Sequence, residues 1–379
     1  LKDLSMNKVL IILISFSCSN LISNEVDHLK VPDGFSLEIF ASSIEAPRQI
    51  VEGSKGYIFV GSKTGKVYSL RDSDNNGRVD NVEIVAEGLG DSSGVAYHNG
   101  TLFIAEIDKI WRIDDIENKL ESFNKSPIEL VLVTDDLPSD QWHGRKWIMV
   151  DDDGSILLNI GAPCNVCLKE DERYATIMRY KENTWKIEAR GVRNSVGFDK
   201  NPTNNKLYFT DNGRDWLGDS LPSCELNVLE ESGDFFGFPY VHADDVIDPD
   251  FGNLNHGYEI KKPILNLGPH VAPTGIEFYT GQSFPKKYFN NAFITLHGSW
   301  NSSKKVGYKV IRVVFDEEGN PTSLSDFITG FLDDQKVLGR PAAPYMLSDG
   351  SLLISDDYAN SIYRISSNSW PIKLYAKYP

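Results

Sequence analysis

The feature of this chain that most constrains its fold is a unit of short apolar strands that recurs along almost the whole sequence. Each unit has an apolar strand, a turn rich in Asp, Asn or Gly, a second apolar strand, and a strand with Arg between Ile, Val or Tyr. Repeats of roughly 40–60 residues built of short antiparallel strands are typical of propeller blades. The sequence therefore predicts an all-β fold, a six-bladed β-propeller. The six copies span residues 49–70, 94–113, 146–180, 195–229, 275–313 and 342–365.

The ends of a propeller must meet, and two terminal strands are candidates for sharing one blade. They are residues 35–41 (FSLEIFA) and 372–378 (IKLYAKY). The Asn99-Gly100, Asp153-Gly154 and Asp349-Gly350 pairs fit tight hairpin turns, because Gly accepts positive φ at little cost. Residues 234–273 are predicted to form an excursion between blades.

The charge of the chain argues against several classes of partner. Its 379 residues carry a formal net charge of −16. Such an acidic surface repels phosphate backbones, so we expect no nucleic-acid partner. A hydrophobic content of 41% is ordinary for a globular protein.

The N-terminal 24 residues are predicted to be a signal peptide, with the propeller occupying residues 25–379. Lys8 precedes a continuous apolar run from Val9 to Phe16, which is too short to span a bilayer as a helix. Cys18 follows this run and offers a site for a lipid anchor, which would be the only membrane attachment. We therefore expect a periplasmic or secreted protein.

Three cysteines remain beyond that segment, at positions 164, 167 and 224. In an oxidising compartment we expect one disulfide and one free thiol. The Cys164-Asn165-Val166-Cys167 spacing favours a local structural disulfide. A zinc site would need a second cysteine pair, and a haem attachment site would need His where Leu168 stands.

Polar residues interrupt the apolar strands at the same edge of the repeat. Because strand ends on one face of a propeller converge on the central channel, we expect these side chains to meet there. Such a concentration of buried polar groups is costly unless it serves a ligand. The set comprises His143, Arg193, Asn194, Asn212, His297 and Arg340, and His270 is a further candidate.

Several of these segments resemble a known enzyme family. The motifs Asp140-Gln141-Trp142-His143 and Gly191-Val192-Arg193-Asn194 resemble segments of soluble quinoprotein glucose dehydrogenases. The L-sorbosone dehydrogenase-like branch is more similar still, through the motifs beginning at Gly161, Thr210, Leu296, Gly339 and Ser355. The similarity runs from about Val31 to the C-terminus. It implies a pyrroloquinoline quinone (PQQ) cofactor at the mouth of the channel.

The resemblance also implies roles for individual residues. His143 would be the general base, and Arg193 would stabilise negative charge on the quinone oxygen. Further cofactor contacts would come from Asn194, Asn212, His270, His297, Arg340 and Lys146, the last standing where the family has Arg. The sequence departs from glucose dehydrogenases at His297-Gly298, where they carry a lysine.

Calcium is predicted at two places. By the resemblance, the main-chain carbonyls of Gly213 and Arg214 would hold an ion against the cofactor, where it would act as a Lewis acid. A second site is predicted without any family, because one segment matches the D-x-[DN]-x-[DN]-G-x5-E pattern. Its candidate ligands are Asp72, Asp74, Asn76, Asp80 and Glu83.

The function predicted from these features is oxidation of an aldose, a sorbosone-like aldehyde or a polyol, with electrons passing to an external acceptor. One alternative is a calcium-dependent propeller hydrolase such as a lactonase, with Asp211, Asn212 and Asp356 as ligands. A second alternative is a carbohydrate-binding propeller without enzymatic activity.

Overall fold

Six sheets, each with four antiparallel strands and one of them with a short fifth strand, are arranged as the blades of a propeller, which confirms the predicted fold class. The computed structural model describes residues 26–122 and 128–368. The predicted signal peptide, Cys18 and the strand at residues 372–378 lie outside those ranges. Within them, no helix has both the length and the apolar character needed to cross a bilayer.

Each predicted copy corresponds to one blade, and in blades 1 to 5 the first four strands run from the ring axis outward in chain order. Blade 1 contains Pro47–Glu52, Ile58–Ser62, Val67–Arg71 and Asn81–Ala86. Blade 2 contains Gly94–His98, Thr101–Ala105, Ile110–Ile113 and Val131–Thr134. Blade 3 contains Ile148–Val150, Ile156–Ile160, Thr176–Lys181 and Thr184–Arg190.

The remaining blades follow the same plan. Blade 4 contains Phe198–Lys200, Leu207–Asp211, Ser223–Val228 and Leu265–Pro269. Blade 5 contains Pro273–Phe278, Ala292–Leu296, Lys309–Phe315 and Pro321–Ile328. Blade 6 contains Pro341–Met346, Leu352–Asp356, Ser361–Ser367 and, as its outermost strand, Phe35–Ser42. The fold also contains a short helix, Ile116–Glu121, and a 3-10 turn, Lys286–Tyr288. Two small hairpins lie outside the blades. One pairs Val241–His242 with Val246–Ile247, and the other pairs Leu332–Asp333 with Lys336–Val337.

The N-terminal strand closes the ring, as predicted, but its described partner is Ser361–Ser367. Phe35 fixes this closure, because its ring packs edge-on against Phe284, Tyr288 and Phe327 at centroid distances of 4.7, 5.0 and 5.4 Å. The prediction for residues 234–273 was wrong in part. Leu265–Pro269 forms the outer strand of blade 4, and Asp234–Phe235 adds a parallel strand to blade 3.

The core lies between the faces of neighbouring blades. The second strands of blades 1, 3, 4, 5 and 6 are buried along their whole length, because each is covered on both faces. This explains why residues 352–356 contain little polar alternation. Asn99 and Gly100 both adopt positive φ, 48° and 83°, as a tight hairpin turn requires.

Candidate functional site

The antiparallel register brings the predicted polar residues to one end of the ring. Each inner strand begins where the second strand of its blade ends, as in the pairs Pro47–Ser62, Pro273–Leu296 and Pro341–Asp356. Residues just before an inner strand and just after a second strand therefore share one edge. The six polar residues of the predicted set occupy such positions.

A cavity of about 240 Å³ lies at this end of the ring. All six residues of the set line it, together with His270 and Gly213. Four of the five Asp, Glu, Lys and Arg side chains in its wall are arginines, although the whole chain is strongly acidic. The charged and imidazole residues in the wall are Arg48, His143, Arg145, Arg193, Asp215, His270, His297 and Arg340.

His143 presents a lone pair at its Nε2 atom. Its Nδ1 lies 2.7 Å from the carbonyl oxygen of Ala162, which can only accept, so Nδ1 carries the proton. The indole N–H of Trp142 donates to Nε2 over 3.0 Å. Burial, with repulsion from Arg193, lowers the pKa of His143 from 6.5 to about 3. The neutral imidazole can therefore accept a proton from a hydroxyl group.

Arg193 is buried and held by hydrogen bonds on every side of its guanidinium group. Nε and Nη2 donate to the main-chain and side-chain oxygens of Asn165 at 2.8 and 3.0 Å. Nη1 donates to the carbonyl of Asn212 at 3.0 Å, and Nη2 lies 3.4 Å from Asp215. Burial lowers the pKa of Arg193 despite its acidic neighbours. An arginine fixed in this way can stabilise developing negative charge without moving.

Asn165 was missed as a site residue, although its segment was recognised. It lies between Cys164 and Cys167, which form the predicted disulfide, while Cys224 is the buried free thiol. The Asn165 side-chain oxygen also accepts the main-chain N–H of Asp215 at 2.8 Å. The disulfide loop therefore supports Arg193 from behind.

The opposite wall of the cavity is organised by Asp357, which the sequence did not single out as a ligand-site residue. Its carboxylate lies 3.1 Å from Arg48 Nε, 2.9 Å from Lys63 Nζ and 2.8 Å from His297 Nε2. Although burial opposes ionisation, these neighbours lower the pKa of Asp357. Burial lowers the pKa of His297 to about 4, so a neutral His297 donates from Nε2 to Asp357.

Arg340 lies beside this group with its charge uncompensated by a nearby carboxylate. Its Nε and Nη2 donate to the carbonyls of His297 and Gly298 at 3.1 and 2.5 Å. Within residues 26–122 and 128–368, no carboxylate comes within 4.0 Å of its guanidinium group. Arg340 therefore supplies positive charge to the cavity. Arg48 could have been found from sequence, since it is the second residue of the inner strand of blade 1 and lies near the edge at which Arg340 precedes the inner strand of blade 6.

Two predicted residues do not line the cavity. The ammonium group of Lys146 is buried and donates to the carbonyl of Gly144 at 2.6 Å, and burial lowers its pKa to about 7. The side chain of Arg214 is buried and forms an ion pair with Asp248. Gly213, the other candidate for a main-chain calcium ligand, does line the wall.

The second predicted calcium loop forms the turn before the outer strand of blade 1. Carboxylate oxygens of Asp72, Asp74 and Asp80 lie within 4.8 Å of one another. The loop also uses them internally, since Asp72 accepts the N–H groups of Asn76 and Gly77. Glu83 belongs to the strand Asn81–Ala86 and lies outside this group. Calcium binding here stays a prediction.

The fold and cavity define a six-bladed propeller with a cationic, histidine-bearing site at one end of its axis. The chain is 37% identical over 355 residues to an uncharacterized protein of Borreliella burgdorferi, in a match covering 89% of this chain and 90% of that protein. The chain belongs to the same family as that protein. A family model described as TrAA12-like matches residues 253–366.

Two relatives with assigned activities match the chain at lower identity or over a shorter segment. A pyrroloquinoline quinone-dependent sugar dehydrogenase of Hypocrea jecorina is 22% identical over 348 residues, covering 78% of this chain and 77% of that protein. A pyrroloquinoline quinone-dependent pyranose dehydrogenase of Coprinopsis cinerea is 32% identical over 130 residues, 29% of this chain and 17% of that protein. By these matches and the TrAA12-like segment, the chain is similar to PQQ-dependent sugar dehydrogenases.

Solved structures share the fold. A Trichoderma reesei enzyme of Carbohydrate-Active Enzymes Family AA12 superposes with a TM-score of 0.74 at 20% identity, covering 89% of this chain and 97% of that one. The PQQ domain of the Coprinopsis cinerea pyranose dehydrogenase gives a TM-score of 0.73 at 18% identity, with the same coverage. At these identities the likeness shows the architecture alone.

Proposed function

We propose that this protein is a PQQ-dependent sugar dehydrogenase that oxidises an aldose, a sorbosone-like aldehyde or a polyol and passes the electrons to an external acceptor. One observation carries the proposal. The neutral imidazole of His143, whose Nε2 accepts the indole N–H of the exposed Trp142, lines a cavity that is also lined by arginines. Three of these arginines come from other blades: Arg48, Arg193 and Arg340.

The donor set fits a planar, carboxylated cofactor. Arg340 has donors and positive charge for a carboxylate, because a guanidinium group matches a carboxylate with two parallel hydrogen bonds. The side-chain oxygen of Asn194 is buried and has no hydrogen-bond partner among the described residues. An orphaned buried acceptor of this kind favours a bound group that brings a donor. Arg48 and Arg193 add positive charge on the two sides of the cavity.

Bound PQQ would supply the oxidant by taking up the hydride equivalent that leaves the hydroxyl-bearing carbon of the sugar. The protein contributes the proton acceptor and the electrostatic environment. His143 Nε2 takes the hydroxyl proton, while the bond from Nδ1 to Ala162 keeps the ring in the correct tautomer. Repulsion from Arg193 contributes to the low pKa of His143, and negative charge bound between the two residues would offset it and make His143 a better base.

A calcium ion beside the cofactor is part of the proposal. The carbonyl of Gly213 is the candidate ligand on the cavity wall, with that of Arg214 next along the chain. Oxygen ligands suit calcium, and the ion would polarise a quinone oxygen. Export to the periplasm or the cell surface is proposed from the N-terminal sequence alone.

The structure favours a dehydrogenase over a hydrolase. Asp211 accepts the main-chain N–H groups of Arg193 and Asn194, and Asp356 accepts those of Arg340, Tyr358 and Ala359. Both carboxylates therefore hold loops in place. Among the described residues, the cavity wall contains one carboxylate, that of Asp215, which lies beside Arg193. A lactonase-type ion site would need more anionic side chains than this wall offers.

Titration of the purified full-length chain with PQQ, with and without calcium, tests the proposal. We expect saturable quenching of tryptophan fluorescence, followed by dye reduction when aldoses, aldehydes or polyols are added. Failure to bind PQQ at micromolar concentrations would overturn the proposal. Hydrolysis of a lactone without PQQ would identify a hydrolase, and sugar binding without either reaction would identify a binding protein.

A further inference from the structure

Exposed tryptophan side chains are concentrated at the mouth of the cavity. Trp142, Trp216 and Trp300 are 48%, 63% and 65% exposed, and they are the exposed tryptophans of the described ranges. Trp142 precedes His143, Trp216 follows Asp215, and Trp300 lines the cavity itself. A single exposed aromatic ring is normal on a protein surface, but several around one opening mark a ligand-binding surface.

Trp216 and Trp300 form one side of this aromatic rim and are held in place. Their ring centroids lie 6.4 Å apart at an interplanar angle of 78°. Trp216 has a φ of 67°, a conformation that a bulky residue adopts only when its surroundings impose it. The loop after Trp216 is bound to the loop after Trp300, because the Asp219 carboxylate accepts the main-chain N–H and the hydroxyl of Ser303.

A second anchor fixes the Trp216 loop to the cavity wall. His270 lies with Nε2 2.8 Å from the carbonyl of Gly218, so it donates to that loop. Rings held by such contacts are presented to solvent without the entropic penalty of ordering them on binding. The Trp216–Trp300 pair is therefore a preorganised surface.

Trp142 forms the other side of the rim, next to the proposed base. Its indole N–H occupies the lone pair of His143 Nε2. A hydroxyl group that approaches Nε2 must displace this N–H and then lies against the Trp142 side chain. The sugar unit that reacts is thus placed beside one tryptophan, and the opposite rim remains free to contact more of the same molecule.

The chemistry of the rim selects the class of ligand. The faces of pyranose rings carry C–H groups that pack on the electron-rich face of an aromatic ring, while their hydroxyl groups stay hydrated. The net charge of −16 disfavours anionic polymers and anionic lipid. We propose that the three tryptophans bind a neutral oligosaccharide, with its terminal unit at His143 and further units across Trp216 and Trp300. Oxidation of the terminal sugar unit rests on the proposed function, but binding of the oligosaccharide does not.

Calorimetry on the full-length chain without cofactor tests this binding. The probes are β-1,4- and α-1,4-linked gluco-oligosaccharides, β-1,4-mannooligosaccharides and chitooligosaccharides of one to six units. We expect at least one series to gain tenfold or more in affinity between one and four units. Trp216→Ala should abolish that gain while changing monosaccharide affinity less than twofold, and Trp300→Ala, which also alters the cavity wall, should abolish the gain as well. Leu324→Ala, an exposed apolar residue on the outer strand of blade 5, should leave the gain intact.

Three outcomes would overturn the inference. They are affinity independent of chain length in every series, a gain that survives both tryptophan variants, and binding to neutral phosphatidylcholine vesicles that both variants abolish. The last outcome would assign the rim to a membrane surface, where exposed Trp is also favoured. Since no PQQ is present in these experiments, failure of the proposed dehydrogenase reaction and failure of glycan binding are distinguished.

Discussion

The two walls of the cavity hold their cations in different ways. The wall from blades 3 and 4 fixes Arg193 through the carbonyls of Asn165 and Asn212, with Asp215 at 3.4 Å. The wall from blades 5, 6 and 1 gathers Arg48, Lys63 and His297 around Asp357. The first wall provides a rigid donor next to a neutral base. The second leaves Arg340 unneutralised, which is suited to attracting an anionic group.

The first wall is therefore suited to proton transfer and charge stabilisation during the reaction, and the second wall is suited to binding an anionic group. Four predictions test that division, from the largest expected effect to the smallest. They assume the proposed cofactor except where stability alone is measured.

Replacing the base should affect turnover far more than binding. His143→Ala removes the proton acceptor, and general bases contribute roughly 10²–10⁴-fold to rate. We expect kcat for sugar oxidation to fall by about 10³-fold while the Kd for PQQ changes less than severalfold. Turnover at the wild-type rate would remove His143 from the reaction.

Acid should destabilise both walls. Folding lowers the pKa of His143 from 6.5 to about 3 and that of His297 to about 4, so the unfolded chain binds more protons in this range. The free energy of unfolding is therefore highest above pH 6.5 and decreases, by about 1–4 kcal/mol per histidine, as the pH falls toward 3–4. Urea unfolding from pH 7 to pH 4 measures it. His143→Gln and His297→Gln should each flatten the pH dependence, and an unchanged slope would show that the buried imidazoles are not responsible.

Removing the side chain of Arg340 should weaken PQQ binding more than it lowers turnover. Arg340→Ala takes away a charge-assisted, two-pronged contact, and we expect the Kd for PQQ to rise by about 10–100-fold. The kcat at saturating PQQ should fall less than it does in His143→Ala. Arg340→Lys keeps the charge without the planar fork and should recover part of the affinity. Equal affinities in Arg340→Ala and the wild type would contradict the division between the walls.

The smallest effect on activity is expected from changes to the disulfide loop that supports Arg193. Asn165→Ala removes the side-chain bond to Nη2 but leaves the main-chain carbonyl in place, so we expect about a tenfold loss in kcat/KM and a smaller change in PQQ affinity. The double variant Cys164→Ser, Cys167→Ser frees the whole loop and should lower kcat/KM more than Asn165→Ala does. Asn183→Ala, at the turn between the outer strands of blade 3, is the matched control. If the Asn165 and Asn183 variants behave alike, the disulfide loop does not position Arg193.

Much of the site was predictable because strand ends in a repeat are periodic. His143, Arg193, Asn212, His297 and Arg340 all interrupt the repeat at its same edge, so their convergence followed from the pattern. The site residues that were not predicted contact residues of other blades or support the cavity wall from outside the cavity. Arg48 and Lys63 from blade 1 meet Asp357 from blade 6 only after the ring has closed.

Local side-chain placement was less predictable. Lys146 stands two positions before an inner strand, yet its ammonium group turns to the carbonyl of Gly144 within the same segment. Arg214 forms an ion pair with Asp248, which belongs to the segment that was predicted to form an excursion between blades. Both contacts depend on burial and on backbone direction at one residue, which the period of the strands does not encode.

The number of blades, the end of the ring at which polar groups collect and the excess of arginine and histidine there were all predicted from the sequence. The repeated apolar strands, their turns and the polar residues at one edge suffice for this, because they are local and recur along the chain. The folded ring was needed to show that Ser361–Ser367 receives the N-terminal strand, that Asp357 joins three basic side chains, and that three exposed tryptophans share one rim. These contacts join residues far apart in the chain, and closure of the ring is what brings them together.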